Sequence, residues 1–324
     1  MMQPLILAFA AVLMLMPVPA WSQSWPARSI TLVVPFPAGS ATDTIGRLIA
    51  DRLSKRLGQS VVIDNRVGGA SMVGTASVAR SEADGYTLLF GTNSALVILP
   101  ILHRATMTFD PARDLSPIGI VAALPNILIV SPKLPVSSVS ELIQHAKANP
   151  GKLSFASSGS GTITHLIGEL FKARAGIDAV HVPYRAGVQA APDLIEGRMD
   201  YLFDNILWSL PMIREGKLKG LGITKLARSP LAPDIPTIAE SGVPGFEGVS
   251  WVSMLTPASV PAAVTERLSS ELSAIVADPS VIAELAKFGA EATTPSPNGM
   301  RQVIAEDTAR WSAIIRDANI KVQP

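Results

Sequence analysis

Apolar and polar positions alternate along this chain in a recurring order: a short β-branched run, a loop, then apolar residues at helical spacing. Its first instance is ITLVVPFPAGSATDTIGR, Ile30 to Arg47. Ile30-Thr31-Leu32-Val33-Val34 is uninterrupted and ends at Pro35, as a buried strand does. The residues Pro35 to Ser40 then turn the chain. After Thr42-Asp43-Thr44, the apolar positions Ile45, Leu48, Ile49 and Leu53 fall at i, i+3, i+4 and i+8, the stripe of an amphipathic helix. The order repeats at LSFASSGSGTITHLIGELFKA, Leu153 to Ala173. There Leu153 to Ala156 is the strand and Ser157 to Thr162 the loop, and Ile163, Leu166, Ile167, Leu170 and Phe171 form the stripe.

A strand that feeds a glycine-containing loop into a helix start makes a seat for an anion. Unpaired backbone N–H groups and the helix dipole both point there. Two such seats without catalytic apparatus suggest a clamp that grips one small anion from both sides. The other reading, two ordinary strand-to-helix turns of a doubly wound sheet, stays open at this point.

Further strands are expected at Ser60–Asn65, Tyr86–Phe90, His181–Tyr184, Asp200–Asn205, Lys219–Thr224 and Ser250–Leu255. Helices are expected at Ser71–Arg80, Val139–Ala148, Val188–Glu196, Ala262–Ala277, Pro279–Phe288 and Asn298–Ala318. Two apolar runs, Ile118–Ala123 and Ile127–Val130, are separated by Leu124-Pro125-Asn126. Pro125 is expected to break any continuous strand there and to mark a crossing between domains. The proline- and glycine-rich stretch from Pro230 to Gly245 reads as the return crossing. Strands alternating with helices predict two parallel-type α/β domains, one inserted into the other. The expected limits are 1–22 for a signal peptide, 23–124 with 247–324 for the first domain, and 125–246 for the second.

Composition narrows the functional classes. A net charge of +1 supplies no basic stripe for nucleic acid. Zero cysteines remove disulfides, thiolate chemistry and cysteine metal sites. At the start, Leu5 to Met16 is an apolar run too short to span a bilayer. Pro17 and Pro19 break it, and Ala20-Trp21-Ser22 offers small residues at the −3 and −1 positions of a cleavage site near Ser22. No Lys or Arg precedes the run, which departs from the signal pattern. The alternative is an N-terminal membrane anchor. We expect an exported, periplasmic monomer.

Catalytic motifs are missing: there is no G-x-S-x-G elbow and no phosphate-binding G-x-x-x-x-G-K-[ST] loop. His103, His145, His165 and His181 have no metal-ligand spacing, so we expect neither metal nor cofactor. His165, in the first turn of the second-seat helix, could bond a ligand or make a local contact. Asp43 either complements its helix dipole or touches the ligand, where its charge would favour an amine or hydroxyl. Asp204, at a strand end beside Asn205, is the better reader of a polar substituent. Thr92, Asn93 and Ser94 share the rim of the first seat. Trp251 either lines the cleft or fills the crossing.

These residues also carry a resemblance. Pro35 to Asp43, Val62 to Arg66, Asp84 to Leu89, Ala156 to Thr162, His181 to Arg185, Asp204-Asn205 and Pro236 to Gly242 run in the order found in Bug-type extracytoplasmic solute-binding receptors. Those receptors serve tripartite tricarboxylate transporters, and the resemblance covers nearly all of the chain beyond the leader. It implies a type II periplasmic binding fold, a Venus flytrap that holds a ligand carboxylate between two loops. Carried over by residue, the first loop offers Phe36, Ala38, Gly39 and Asp43, and the second Ser157, Ser158, Gly159, Gly161, Thr162 and His165; Ser40, in the rim beside Gly39, is a further candidate contact. Asn93, Tyr184, Gly187 and Asp204 would form the selecting wall. The chain has Gly39-Ser40 where the family often has two glycines, and Val67 where proline is usual. The expected role is capture of a small organic carboxylate for membrane transporter subunits, without chemistry. Dicarboxylates, amino acids, heteroaromatic and aromatic acids all remain open as ligands. Two other roles also remain: an exported hydrolase or transferase built on Ser158 and His165, and a sensor feeding a membrane signalling partner.

Overall fold

The computed structural model describes residues 25–317 and Ile320. The expected leader, Met1 to Ser22, lies outside the described residues. Ten strands form one continuous mixed sheet with a path β2-β1-β3-β9-β4-β7-β5-β6, and β8 and β10 pair with β4. β1 (Ile30–Val34), β2 (Val61–Asn65) and β3 (Thr87–Thr92) are parallel to one another. So are β5 (Leu153–Ser157), β6 (Ala179–Pro183) and β7 (Tyr201–Asn205).

The sheets are mixed, which corrects the expectation of purely parallel ones. β9 (Val249–Pro257) runs antiparallel to both β3 and β4. β8 (Lys219–Ile223) and β10 (Glu291–Ala292) are also antiparallel to β4. A second correction concerns Pro125. β4 runs without interruption from Leu115 to Val130. Its N-terminal stretch to Pro125 pairs with β9, and from Asn126 onward it pairs with β7 and β8. Pro125 sits where the strand changes partners, so its missing N–H removes no bond from the interior of either ladder. The amide of Asn126 donates instead to Thr224 Oγ1 at 3.0 Å.

The helix over the first seat, α1 (Ala41–Leu57), forms where its stripe predicts. Ser40 caps it, its Oγ accepting from the Asp43 amide at 3.2 Å, and Gly58 ends it in the left-handed conformation. Ile45, Ile49 and Leu53 are fully buried against β1 and β3. α2 (Met72–Ala79) follows β2. After β3 comes a π-helical turn, Ser94–Ile98, continued by α3 (Leu99–His103), neither of them expected from the sequence. α4 (Pro111–Asp114) precedes β4, and α5 (Val139–Ala148) follows it.

The second-seat helix is α6 (Ile163–Ala175), capped by Thr162 and closed by Gly176. α7 (Ala191–Ile195) and α8 (Ile206–Arg214) complete this half. α9 (Ala262–Val276) and α10 (Pro279–Lys287) return to the first half, where Leu268, Leu272 and Leu285 join the core around β1. α11 (Pro297–Asp317) packs Met300 and Trp311 into a core that reaches into both halves. Trp251 on β9 donates its indole N–H to Asp307 of α11 at 2.8 Å, which ties that helix to the crossing strand.

Candidate ligand-binding site

The parallel strands of each half end at the same place, so their loops and the helix starts that follow face one another across the crossing. A cavity of about 70 Å³ lies between them. One water needs roughly 10–15 Å³ by this measure, so the space takes several water-sized groups, the scale of a small solute.

The first seat contributes Phe36, Ser40, Ala41 and Thr42 to the wall. Gly39, at φ +80°, allows the loop to turn back beneath the helix start. Its amide is taken by Asp43 Oδ2 at 2.9 Å. Asp43 is buried and also accepts from Arg47 at 2.9 Å and from Asn65 at 2.9 Å. Burial alone would raise its pKa, but the hydrogen bonds from Arg47, Asn65 and Gly39 hold it below the usual carboxylate value. Asp43 therefore braces the loop from behind. It does not line the cavity, and neither do Ala38 and Gly39.

The second seat contributes Ser158, Thr162, Ile163 and Thr164. Gly161, at φ +79°, gives its amide to His165 Nδ1 at 3.1 Å. His165 is buried and stacks on His181 with ring centroids 3.8 Å apart. Burial, with the neighbouring charge of His181 and Lys172 adding to it, pushes the pKa of His165 down to about 3. Burial and Lys172 push His181 down to about 4. Both rings are thus neutral supports beneath the loop. Ser157 is equally hidden: its Oγ meets His181 Nε2 at 2.7 Å and accepts from the Gly159 amide at 3.1 Å. Ser157, Gly159, Gly161 and His165, named from sequence as ligand contacts, shape the loop from below and do not line the cavity.

In the far wall the structure brings together Asn93, Gly187 and Asp204, as expected. Tyr184 is turned away. Its hydroxyl donates to Asp193 Oδ2 at 2.5 Å, and burial together with that carboxylate pushes its pKa up to about 12. Asp204 accepts from the Asn205 amide at 2.8 Å and from Trp208 Nε1 at 3.1 Å. Burial pushes its pKa up to about 6 against the lowering pull of those two bonds. A side chain at Gly187 would occupy the space of the Asp204 carboxylate.

Several wall residues were not singled out from sequence. Trp208 stands one helical turn beyond Asp204, a spacing that was available to find it. Asn126 and Ser250 come from the crossing strands, and only their pairing places them here; Trp251, weighed from sequence as cleft or packing, stands in the wall beside them. Leu124, Ala186, Val188 and Val252 supply apolar surface.

Electrostatically the cavity is unusual for an anion site, because its wall contains no Lys, Arg or His among the described residues. What it offers instead is helix starts. No hydrogen bond among the described residues takes the amides of Ala41 or Thr42 in the first turn of α1. α6 and α8 also open onto the cavity, through Thr162 to Thr164 and through Asn205. Three buried wall atoms have no partner: Thr92 Oγ1, Asn93 Oδ1 and Asn205 Nδ2. Their orientation is fixed by chemistry. Asn93 Nδ2 donates to the Val249 carbonyl at 3.0 Å and Asn205 Oδ1 accepts from the Leu207 amide at 2.8 Å. An acceptor and a donor are therefore left buried without partners.

The two halves touch at the seats themselves. The Ile163 amide at the start of α6 donates to Ser94 Oγ at 3.0 Å, and Gly161 rests against Leu99. At the crossing, Asn126 Nδ2 donates to Ser250 Oγ at 3.0 Å, and Thr224 Oγ1 donates to the Gly248 carbonyl at 2.6 Å.

A nucleophilic pair does not form at the cavity. Ser158 reaches the wall, but His165 is spent on Gly161 and on its stack with His181. The Ser157–His181 contact joins a buried serine to a half-buried histidine, and neither residue lines the cavity.

Comparison with known proteins agrees with this geometry. Residues 45–320 match the sequence model of the tripartite tricarboxylate transporter family receptors. The Bordetella pertussis protein BugT is 33% identical over 305 residues, 94% of each chain. Among solved structures, the R. palustris protein Rpa4515 with adipate is 39% identical, with a TM-score of 0.89 over 92% of this chain and 99% of that one. MatC from Rhodopseudomonas palustris with bound malate is 29% identical, with a TM-score of 0.84 over 90% of this chain and 100% of that one. The fold is accordingly that of a type II periplasmic binding protein.

Proposed function

This chain belongs to the tripartite tricarboxylate transporter receptor family, of the Bug type, and on that premise we propose that it captures a small organic carboxylate between its two halves in the periplasm. It then delivers the acid, unaltered, to the membrane subunits of a tripartite transporter. One observation carries the reading: the starts of α1 and α6 converge on one cavity whose wall has no cationic side chain. The unpaired Ala41 and Thr42 amides of α1, facing the start of α6 where Ser94 holds the Ile163 amide, suit a carboxylate, each helix start contributing about 0.3–1 kcal/mol through the dipole beyond its hydrogen bonds. The adipate and malate held by Rpa4515 and MatC are both carboxylates, which supports the class.

The domain limits we assign are 23–124 with 247–324 for one domain and 125–246 for the other. They are supported by the change of partners in β4 at Pro125–Asn126 and by the start of β9 at Val249. Closure would turn on those two crossings. The site residues we assign are Phe36, Ser40, Ala41, Thr42, Asn93, Ser158, Thr162, Thr164, Gly187 and Asp204. The missing nucleophile–base pair argues against a hydrolase or transferase.

The test is a thermal-shift screen of protein refolded free of ligand, against organic acids and their amides. A ligand that binds only the folded state raises stability by about 2.7 kcal/mol at a hundredfold excess over its Kd. A shift with an acid that is lost with its amide supports the carboxylate seat. Equal shifts with both would remove it.

A further inference from the structure

The carboxylate seats leave the length of the ligand undefined, and Trp208 bears on it. Trp208 lines the cavity from α8 and packs against the apolar core of the second half. Its backbone is well anchored: Ile206 and Leu210 are buried on either side of it, and Asn205 caps the helix by accepting from the Leu207 amide at 2.8 Å. The indole is held as well, because its N–H donates to Asp204 Oδ2 at 3.1 Å. That carboxylate has little room to follow a moving ring. Its Oδ1 accepts from the Asn205 amide at 2.8 Å, and Gly187 lies so close to Oδ2 that a methyl group there would overlap it. Of the three large aromatic residues in the wall, Phe36 and Trp251 are buried, while Trp208 is only half-buried, which places it at the cavity's edge.

The space inside that edge is small. The cavity of about 70 Å³ takes roughly five to seven water-sized groups, which a carboxylate and a body of about three to five further carbons fill. A longer body has to push the indole aside. Doing so strips Asp204 Oδ2 of its donor and breaks the packing of the ring on the core beneath it. Resting on the carboxylate reading above, we propose that Trp208, locked in place by Asp204, is the stop that sets ligand length. The receptor then takes short acids of about four to six carbons, whether they carry one carboxylate or two. Asp204 acts here as a positioning residue, and the bulk of Trp208 makes the selection.

The experiment is calorimetric titration of ligand-free protein with two graded series: succinate, adipate, suberate and sebacate, and butanoate, hexanoate, octanoate and decanoate. Within whichever series binds, wild-type affinity is expected to fall at least tenfold between the six-carbon and the eight-carbon acid, in the range that misfit methylenes produce in apolar pockets. Trp208→Ala should raise the ratio of eight-carbon to six-carbon affinity at least tenfold, and Trp208→Leu, which keeps apolar packing, should raise it by less. Trp208→Phe keeps most of the bulk and should retain the break. Circular dichroism melts identify any variant that does not fold, and the ratio is then read from the others. Eight-carbon acids that bind the wild type as tightly as six-carbon ones, or a break unmoved in folded Trp208→Ala or Trp208→Leu, would overturn the inference while leaving the carboxylate seat intact. If no acid of either series binds, the carboxylate reading itself fails and this inference falls with it.

Discussion

Acid should destabilise this protein through the two stacked imidazoles beneath the second seat, before its ion-paired carboxylates begin to protonate. His165 and His181 lie with centroids 3.8 Å apart, under a loop that gives one of them an amide N–H and the other a serine hydroxyl. Neither can accept a proton without charging a buried stack. Their folded pKa values are about 3 and about 4, against 6.5 in the unfolded chain. Between those limits the unfolded state binds more protons, so stability is full above pH 6.5 and falls as pH falls through that window. At pH 5 each unfolded histidine gains about 2 kcal/mol by protonating, and the pair about 4 kcal/mol. Asp204 works in the opposite direction. Its folded pKa of about 6 lies above the unfolded value of 3.8, so the folded state binds the extra proton and gains stability as pH falls below 6. By pH 5 that returns about 1 kcal/mol, leaving a net loss of about 2–3 kcal/mol for the ligand-free protein. That is a large share of a typical folding free energy of about 5–15 kcal/mol. Urea titrations from pH 7.5 to pH 5 measure the slope directly. Asp204→Asn should steepen it toward 4 kcal/mol, and His181→Gln should remove about half of the histidine loss. A midpoint that does not move between pH 7.5 and 5, or a His181→Gln variant with the wild-type slope, would show that the stack is not the titrating element.

Other perturbations separate the parts of the site. Thr42→Asp places a carboxylate in the first turn of α1, where the dipole favours it; melting temperature should hold while thermal shifts by every organic acid disappear. Gly187→Ala puts a methyl group where the Asp204 carboxylate sits, and ligand affinity measured by calorimetry should fall at least tenfold as Asp204 and Trp208 are displaced, about 1.4 kcal/mol or more. Ser94→Ala removes the acceptor for the Ile163 amide across the cleft. It should lower ligand affinity about fivefold, for about 1 kcal/mol of lost closure, with no effect on which acid is preferred.

How far the sequence carried can be judged residue by residue. Both seat helices were legible from their apolar stripes, and in the structure Ser40 and Thr162 caps and terminal glycines bound them. The side chains that face the ligand were less so. A loop pattern names Asp43, Gly161 and His165 as readily as Ser40, Thr42 and Ser158, and only the backbone path decides which face inward and which brace the loop. Asp43 and His165 lie beneath because each is needed to satisfy a loop amide, Gly39 in one seat and Gly161 in the other. Pro125 misled for a related reason: its missing N–H matters only if a neighbour needs it, and strand partners are invisible along the chain. Ser250 and Trp251 reach the cavity through antiparallel pairing between residues more than a hundred positions apart, and Asn126 through pairing with Asn205, which no local period records.

On the proposed reading, a carboxylate site with no cation among the described wall residues also constrains how binding energy is distributed. Lys or Arg would attract the ligand over several ångströms and oppose its departure, whereas helix-start amides act only at contact. Most of the affinity must then arise when the apolar wall and both seats surround the ligand together, so affinity is tied to closure of the halves. Closure rests on few groups: Ser94 with Ile163 at the seats, and Asn126, Thr224 and Ser250 at the crossing. Substitutions at the crossing should therefore change affinity for every ligand by a common factor, since they alter only the population of the closed form. Substitutions at Asp204 or Trp208 should change the order of ligands instead. A receptor that must release its cargo gains from this arrangement, because loosening the crossing separates the two seats at once and leaves each with amides that water satisfies as well as the ligand did.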